Sequence, residues 1–272
     1  MFDYTAPDKL LTNRVILVTG AGDGIGRAAA MEYARLGATV ILLGRTVEKL
    51  EAVYDEIEAA GHGQPAIYPL DLRAAKDEDY LELAEILEGE FGHLDGLLHN
   101  ASVLGQRTPL SNYESRTWRL VMHVNVTAPF MMTQALMPLL EASADASVVF
   151  TSSGVGIQGK AYWGAYGVSK FATEGMAQIL AEETENTSNI RVNIINPGAT
   201  RTNMRAQAYP GEDPALNLTP EDIMPVYQFL MGPDSKGTTG QRINAQEMPK
   251  PPAKPEPVEN PDAPTTGKAK KK

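Results

Sequence analysis

The sequence contains no cysteine among its 272 residues. This absence excludes a disulfide-stabilised scaffold, a thiolate nucleophile and any zinc or iron–sulfur site with thiolate ligands. Only four histidines occur, and no two are spaced as the His-x-x-x-His pair of a helical zinc hydrolase. We therefore expect a chemistry that uses neither a thiol nor a bound metal ion.

Long apolar runs and an excess of positive charge are also missing. No apolar segment approaches the ~20 residues that cross a bilayer, and the formal net charge is −10. Such an acidic chain is poorly suited to bind nucleic acid or anionic lipid over its whole surface, so we expect neither as a partner. Residues 1–9 carry acids and a proline instead of the basic and apolar stretches of a signal peptide, which favours a cytoplasmic location.

The composition changes near residue 246. Residues 246–272 contain seven prolines, six lysines and four acids, and they contain no Leu, Ile, Phe, Tyr or Trp. Such a stretch cannot bury enough apolar surface to offset the entropy that it would lose on ordering. We therefore predict one catalytic domain over residues 1–245 and a disordered Pro/Lys-rich tail over 246–272. The terminal lysines either are simply solvated or contact an anionic partner.

Short apolar runs alternate with longer stretches of helical periodicity along residues 1–245. The predicted strands lie at 15–18, 39–43, 66–70, 94–98, 147–151, 192–195 and 241–244. The predicted helices lie at 24–37, 46–60, 77–91, 113–141, 164–187 and 219–231. Strands that are apolar on both faces and separated by helices are typical of a parallel sheet with helices on each side. The sequence therefore predicts an α/β fold, a three-layer doubly wound sheet of about seven parallel strands.

A glycine-rich segment, Thr19-Gly20-Ala21-Gly22-Asp23-Gly24-Ile25-Gly26, follows the first predicted strand. A tight turn from a strand into a helix needs small residues, and the helix N–H groups then face a pyrophosphate. Ordinary strand-to-helix turns also contain glycine clusters, but the place of this one favours a dinucleotide site. Gly26-Arg27-Ala28 stands where a mononucleotide P-loop requires Gly-Lys-Ser/Thr, which disfavours that alternative.

The end of the second predicted strand indicates which dinucleotide binds. An acidic residue there would bind the ribose 2′-hydroxyl of NAD, whereas this chain has Gly44 followed by Arg45. Because a guanidinium pairs well with a phosphate, NADP(H) is favoured over NAD(H). Two features oppose this interpretation: Asp23 places a negative charge in the glycine loop, and an arginine that begins a helix is often only solvated.

The second half of the sequence carries Tyr166 and Lys170, four residues apart on one face of a predicted helix. An ammonium close to a phenol stabilises the phenolate and brings its pKa, ordinarily about 10, closer to neutrality. Ser153 follows the fifth predicted strand, where its hydroxyl can donate to a carbonyl oxygen that gains charge. Each feature alone is common by chance, but together with a dinucleotide loop they indicate acid–base chemistry on a carbonyl or an alcohol.

Over nearly all of residues 10–245, these motifs resemble those of the short-chain dehydrogenases/reductases. Further segments match the family pattern: Asp71-Leu72, His99-Asn100-Ala101-Ser102, the helix-bending Asn125, and Asn196-Pro197-Gly198 with Thr202. The resemblance implies a Rossmann fold and a homodimer or homotetramer. It also implies a cofactor site formed by Thr19, Gly20, Gly24, Ile25, Gly26, Arg45, Asp71, Leu72, Asn100, Ala101, Tyr166, Lys170, Pro197, Gly198 and Thr202.

The same resemblance implies a mechanism with four catalytic residues. Tyr166 would give its proton to a carbonyl oxygen as hydride leaves the nicotinamide, and would take it back in the reverse direction. Ser153 would position that oxygen. Lys170 would lower the pKa of Tyr166 and bind the ribose, and Asn125 would hold a water in the proton relay. The expected function is thus that of an NADP(H)-dependent oxidoreductase acting on a small-molecule carbonyl or alcohol.

The chain departs from the family's Asn-Asn-Ala-Gly segment at His99 and Ser102. Ser102 adds a side chain where the backbone passes close to the cofactor, and His99 receives no catalytic role because a histidine at a strand end usually packs or caps. Residues 203–218 are expected to shape the substrate pocket and to close over it. The alternative function is that of a nucleotide-binding regulatory or sensor protein that keeps this fold without turnover.

Overall fold

The structure, a computed structural model, describes residues 1–246, so the predicted disorder of the tail falls almost entirely outside the described residues. Within this range seven strands form one sheet: β1 Val15–Thr19, β2 Thr39–Gly44, β3 Ala66–Pro69, β4 Gly96–His99, β5 Ala146–Thr151, β6 Ile190–Asn196 and β7 Arg242–Asn244. Their order is β3-β2-β1-β4-β5-β6-β7, and all neighbouring strands are parallel. The predicted doubly wound Rossmann fold is confirmed.

The helices cover both faces of this sheet. Their bounds are α1 Gly24–Arg35, α2 Val47–Ala59, α3 Asp77–Phe91, α4 Ser115–Met122, α5 Ala128–Glu141, α6 Gly164–Thr184, α7 Asn203–Ala208 and α8 Met224–Met231. Consecutive residues of a strand point to opposite faces. In β1, Ile16 and Val18 pack into a core with α1, α2 and α8, whereas Val15 and Leu17 pack into a second core with α3, α5 and α6.

The predicted helix over 113–141 is helical from Ser115 to Glu141 but contains a π-helical turn at His123–Thr127. Asn125 lies in this turn, and its side-chain amide pairs with the backbone of Val103 through two hydrogen bonds of 2.8 and 3.0 Å. The amide also donates to Ser169 Oγ on α6, at 3.0 Å. Such π-turns are frequent at functional sites, and this one joins α6 to the segment after β4.

The strand order reverses between β1 and β4, so the segments that leave these strands turn to opposite faces of the sheet. A crevice forms at the carboxyl ends of the strands at such a reversal, and ligands of open α/β sheets bind there. The segment after β6, expected to close over the substrate, forms α7 beside this edge. Among residues 1–246, no helix combines the length and apolar character that a membrane crossing requires.

Candidate active site

A cleft of about 600 Å³ lies along the carboxyl ends of the strands. The site residues predicted from the sequence that line it are Gly20, Gly24, Ile25, Arg45, Asp71, Leu72, Asn100, Ala101, Ser153, Tyr166, Lys170, Pro197, Gly198 and Thr202. The other three, Thr19, Gly26 and Asn125, lie behind this lining and contact residues that belong to it. The structure therefore brings residues from seven separate segments of the chain to one edge of the sheet.

The glycine loop is held in shape by residues beneath it. Thr19 Oγ1 accepts the backbone N–H groups of Asn100 at 2.9 Å and of Ala101 at 3.0 Å, which joins the ends of β1 and β4. Gly20 has a φ of +69°, a left-handed conformation that favours glycine. A Cβ atom on Gly26 would clash with the carbonyl oxygen of Gly20 and would lie 2.6 Å from Asn100 Nδ2. The close approach of helix α1 to the loop thus requires glycine at position 26.

Positive charge gathers at the end of the cleft next to β2. Arg45 and Lys49 are exposed and line the cleft there. Lys49 Nζ donates to Asp23 Oδ2 at 2.6 Å, and Asn203 Nδ2 donates to the same oxygen at 3.0 Å. Although burial raises the pKa of Asp23, these hydrogen bonds outweigh it and hold the pKa below its usual value. Lys49 therefore balances the negative charge that opposed NADP(H) in the sequence argument.

Two cations of this region were missed by the sequence reasoning. Lys49 lies four residues after Arg45, and Arg73 lies two residues after Asp71. The guanidinium of Arg73 holds both carboxylate oxygens of Asp71, at 2.6 to 3.0 Å, and this hydrogen bonding lowers the pKa of Asp71. The spacing of these residues was visible in the sequence, but their approach to the cleft depends on how α2 and the segment after β3 pack.

Ser153, Tyr166 and Lys170 meet at the inner part of the cleft. Tyr166 and Lys170 lie one turn apart on α6 and are only 7% and 4% exposed. Lys170 Nζ donates to the carbonyl oxygen of Thr151 at 2.7 Å and lies 5.6 Å from the centroid of the Tyr166 ring. Ser153 follows β5, and its side chain hydrogen-bonds Tyr166. A phenol, a hydroxyl and an ammonium thus line the same part of the cleft.

The pKa of Tyr166 departs from the sequence-based expectation. Burial raises it to about 12, against the opposing hydrogen bond from Ser153. Burial also lowers the pKa of Lys170 to about 8, with the charge of Glu174 opposing that change. In the protein alone, desolvation therefore outweighs any lowering of the phenol pKa by Lys170, whose ammonium donates to Thr151 instead. As a consequence, Tyr166 keeps its proton at neutral pH.

An apolar cluster covers Tyr166 on the side of α7. It consists of Leu104, Val155 and Trp163, with Met204, Ala208 and Tyr209 packed against it. Arg107 closes the cluster from outside, because its guanidinium lies 4.2 Å above the Trp163 ring and donates to the carbonyl oxygen of Ala208 at 2.8 Å. Trp163, which the sequence reasoning left out of the site, lines the cleft, whereas its neighbour Tyr162 is exposed.

His99 is a packed residue at the end of β4. Its ring stacks on Phe150 with the centroids 4.7 Å apart, and Nε2 lies 2.8 Å from Thr133 Oγ1. Burial lowers the pKa of His99 from 6.5 to about 3, so the ring is neutral at physiological pH. Within residues 1–246, no group of three or more histidine or acidic side chains is arranged to hold a metal ion.

Because the unfolded chain protonates His99 more readily than the folded protein does, acid favours unfolding through this residue. The contribution of the neutral His99 ring to the stability of the folded protein is complete above pH 6.5 and is lost as the pH falls from there towards 3. We expect the unfolding free energy of the wild type to fall by about 1.4 kcal/mol per pH unit more than that of His99→Gln in this window. Urea unfolding at pH 7, 6, 5 and 4 measures the difference, and parallel pH dependences would refute the assignment.

The model of the short chain dehydrogenase family matches residues 14–213. The chain belongs to the short-chain dehydrogenase/reductase family. It is 54% identical over 248 residues to the oxidoreductase YciK of Escherichia coli (strain K12), a match that covers 91% of this chain and 98% of that protein. The predicted family is confirmed, and the chain is an oxidoreductase of this family.

Solved structures give the same result. The structure of a short chain dehydrogenase from Pseudomonas syringae is 61% identical, with a TM-score of 0.89, and the match covers 90% of this chain and 100% of that one. A crystal structure of a short chain dehydrogenase from Escherichia coli CFT073, in complex with NADPH, is 55% identical with a TM-score of 0.86, covering 89% of this chain and 100% of that one.

Proposed function

We propose that this chain is an NADP(H)-dependent oxidoreductase that interconverts a carbonyl and an alcohol, with Tyr166 as the general acid and base. The observation that carries the proposal is the convergence of Ser153 with the buried Tyr166 and Lys170 in a cleft that begins at the glycine loop. The NADPH complex of the similar Escherichia coli CFT073 protein supports the choice of cofactor class. Residues 1–245 would act as one catalytic domain.

The residues of the cleft fit a dinucleotide. The glycine loop would hold the pyrophosphate, because Gly20 and Gly26 leave its backbone open and close to the N-terminus of α1. Asp71 and Leu72 would contact the adenine, whereas Asn100, Ala101, Pro197, Gly198 and Thr202 would line the path to the nicotinamide. The bound cofactor supplies or accepts the hydride.

The protein's own groups handle the proton and the position of the substrate. Tyr166 keeps its proton at neutral pH, as a general acid in carbonyl reduction must, and its hydroxyl would give that proton to the carbonyl oxygen. Ser153 would donate a hydrogen bond to the same oxygen and so favour the charge that develops there. Lys170 would bind the ribose hydroxyls, and Asn125 would hold the helical bend that keeps a water in the proton relay.

The apolar cluster over Tyr166 supports a substrate whose carbonyl is flanked by apolar groups. Leu104 and Trp163 would contact those groups, and Met204 on α7 would cover them. A water-excluding surface next to the phenol strengthens hydrogen bonds to the reacting oxygen. Apolar side chains also lie exposed on α5 and α6, among them Phe130, Phe171 and Ile179, which supports the expected homodimer or homotetramer.

Arg45 is the residue that we propose for discrimination between the two dinucleotides. Because a charge-assisted hydrogen bond is worth about 1.5–3 kcal/mol, Arg45→Ala should weaken NADPH binding by roughly ten- to a hundred-fold and leave NADH binding nearly unchanged. Fluorescence titration with both nucleotides measures the two affinities. Arg35→Ala is the control. Arg35 is the last residue of α1, and its substitution should change neither of the two affinities. Equal losses for NADPH and NADH in Arg45→Ala would contradict the assignment.

The same titration tests the proposal as a whole. Purified wild-type protein that bound neither NADPH nor NADH would refute the oxidoreductase function. Tight binding without turnover of any carbonyl in a panel of aldehydes, ketones and quinones would favour the alternative, a nucleotide-binding regulatory or sensor protein. Because Asn125, Ser153, Tyr166 and Lys170 are all present, we expect turnover.

A further inference from the structure

A buried carboxylate lies behind the candidate catalytic residues. Glu174 follows Lys170 by one turn of α6, just as Lys170 follows Tyr166, so the three side chains share one face of the helix. Glu174 is only 3% exposed, which is unusual for an acidic residue. Burial of a charge is costly unless the charge is paired, so the partners of Glu174 show how it is tolerated.

The partner of Glu174 is Arg242, on the edge strand β7. Arg242 Nε donates to Glu174 Oε1 at 3.0 Å, and Nη2 of the same guanidinium donates to the carbonyl oxygen of Ser153 at 3.3 Å. Its Nη1 donates to Asn244 Oδ1 at 2.8 Å, and Asn196 Nδ2 donates to that oxygen as well, at 2.8 Å. One guanidinium therefore connects the helix of Tyr166 and Lys170, the backbone of Ser153 and the end of β6.

The pair leaves part of the carboxylate charge uncompensated. Glu174 Oε2 is buried and accepts no hydrogen bond from any residue in the described part of the chain. In a buried environment of low effective dielectric, such a charge acts on neighbouring groups more strongly than it would in water. The ammonium of Lys170 is the cation one turn away on the same face, and the charge of Glu174 favours its protonated form.

Other ionisable groups near α6 do not replace Glu174 in this role. The elements that pack on α6 carry Arg191 on β6, Arg116 and Arg119 on α4, and His123 in the π-turn. Arg191 pairs with Asp145 at 3.1 Å. None of these groups forms an ion pair with Lys170 within residues 1–246. Apart from Tyr166, the features that determine the charge state of Lys170 are therefore its own burial and the Glu174–Arg242 pair.

We propose that Glu174 and Arg242 are positioning residues for the reaction: Glu174 keeps Lys170 in its charged form, and Arg242 fixes Glu174 and the backbone of Ser153 in place. Neither side chain needs to touch substrate or cofactor in this role. The inference rests on the proposed function, in which a charged Lys170 works beside Tyr166, but its test does not depend on turnover.

The test is an NMR titration of Lys170 in the full chain labelled with [ε-¹³C]lysine. Loss of one resonance in Lys170→Arg assigns the signal, which should titrate near pH 8 in the wild type. Glu174→Gln removes the negative charge without changing the shape of the side chain, so the midpoint should shift to lower pH. Arg242→Gln leaves the carboxylate unpaired, so the midpoint should shift to higher pH.

The opposite directions separate electrostatics from loosening of the structure. Water that entered a loosened site would relieve the desolvation of Lys170 and raise its midpoint in both variants. Asp145→Asn, which breaks the buried pair with Arg191 at the far end of β6, is the control and should not move the midpoint. An unchanged or raised midpoint in Glu174→Gln would overturn the proposal. If that variant does not fold, an unchanged or lowered midpoint in Arg242→Gln would overturn it. Shifts as expected without any carbonyl turnover would refute the proposed function instead.

Discussion

Tyr166→Phe should reduce the kcat of carbonyl reduction by about 10²–10⁴-fold, the usual contribution of a general acid. The variant keeps the buried ring that packs against Trp163, with centroids 5.5 Å apart, and loses only the hydroxyl. NADPH affinity should therefore change little, because the glycine loop and Arg45 are untouched. Steady-state kinetics with an aromatic aldehyde and an ortho-quinone, next to a nucleotide titration, separate the two effects.

Tyr162→Phe is the matched control for this result. Tyr162 precedes Tyr166 by four residues, but its side chain is exposed and no lysine follows it at the same spacing. Its substitution should leave kcat within about two-fold, since surface changes are usually small. A Tyr166→Phe enzyme with wild-type kcat would show that the proton comes from another group.

Gly26→Ala should destabilise the protein by about 1–3 kcal/mol and weaken NADPH binding by at least ten-fold, because it overpacks the point where α1 meets the glycine loop. The added Cβ would clash with the carbonyl oxygen of Gly20 and would approach Asn100 Nδ2 at 2.6 Å. Either the loop or Asn100 must then move, and both line the cleft. Urea unfolding and NADPH titration of the same preparation measure the two losses.

Gly89→Ala provides the comparison for Gly26→Ala. Gly89 lies in α3, far along the chain from the loop, and a Cβ atom at this position would point into open space. The substitution should stabilise the helix by up to about 1 kcal/mol and leave NADPH affinity unchanged. If Gly26→Ala behaved like Gly89→Ala, the close packing of α1 on the loop would not be needed for cofactor binding.

The sequence predicted the sheet and the main helices because their signals are local. The buried strands read as short apolar runs, and the glycine loop follows β1 at the expected place. The residues expected in the cleft meet there because parallel strands end at one edge of a sheet, so motifs that follow different strands come together.

The features that the sequence did not reveal depend on contacts between distant segments. The pKa of Tyr166 is raised because of how completely the residue is buried, which the Tyr-x-x-x-Lys spacing does not encode. The bridge from Lys49 and Asn203 to Asp23 joins segments that are far apart in the chain. Likewise, the pair of Glu174 with Arg242 forms only when β7 adds to the sheet beside β6.

Transfer of deuterium from NADPH to a product alcohol tests most directly whether the cleft performs this chemistry. The full chain would be incubated with [4-²H]NADPH, labelled on either face, and with an aromatic aldehyde or a cyclic ketone, and the alcohol analysed by mass spectrometry. We expect deuterium on the carbinol carbon from one face of the nicotinamide, with the yield in Tyr166→Phe reduced by the same factor as kcat. NADPH binding without deuterium in any product, or equal transfer by Tyr166→Phe, would contradict the proposed mechanism.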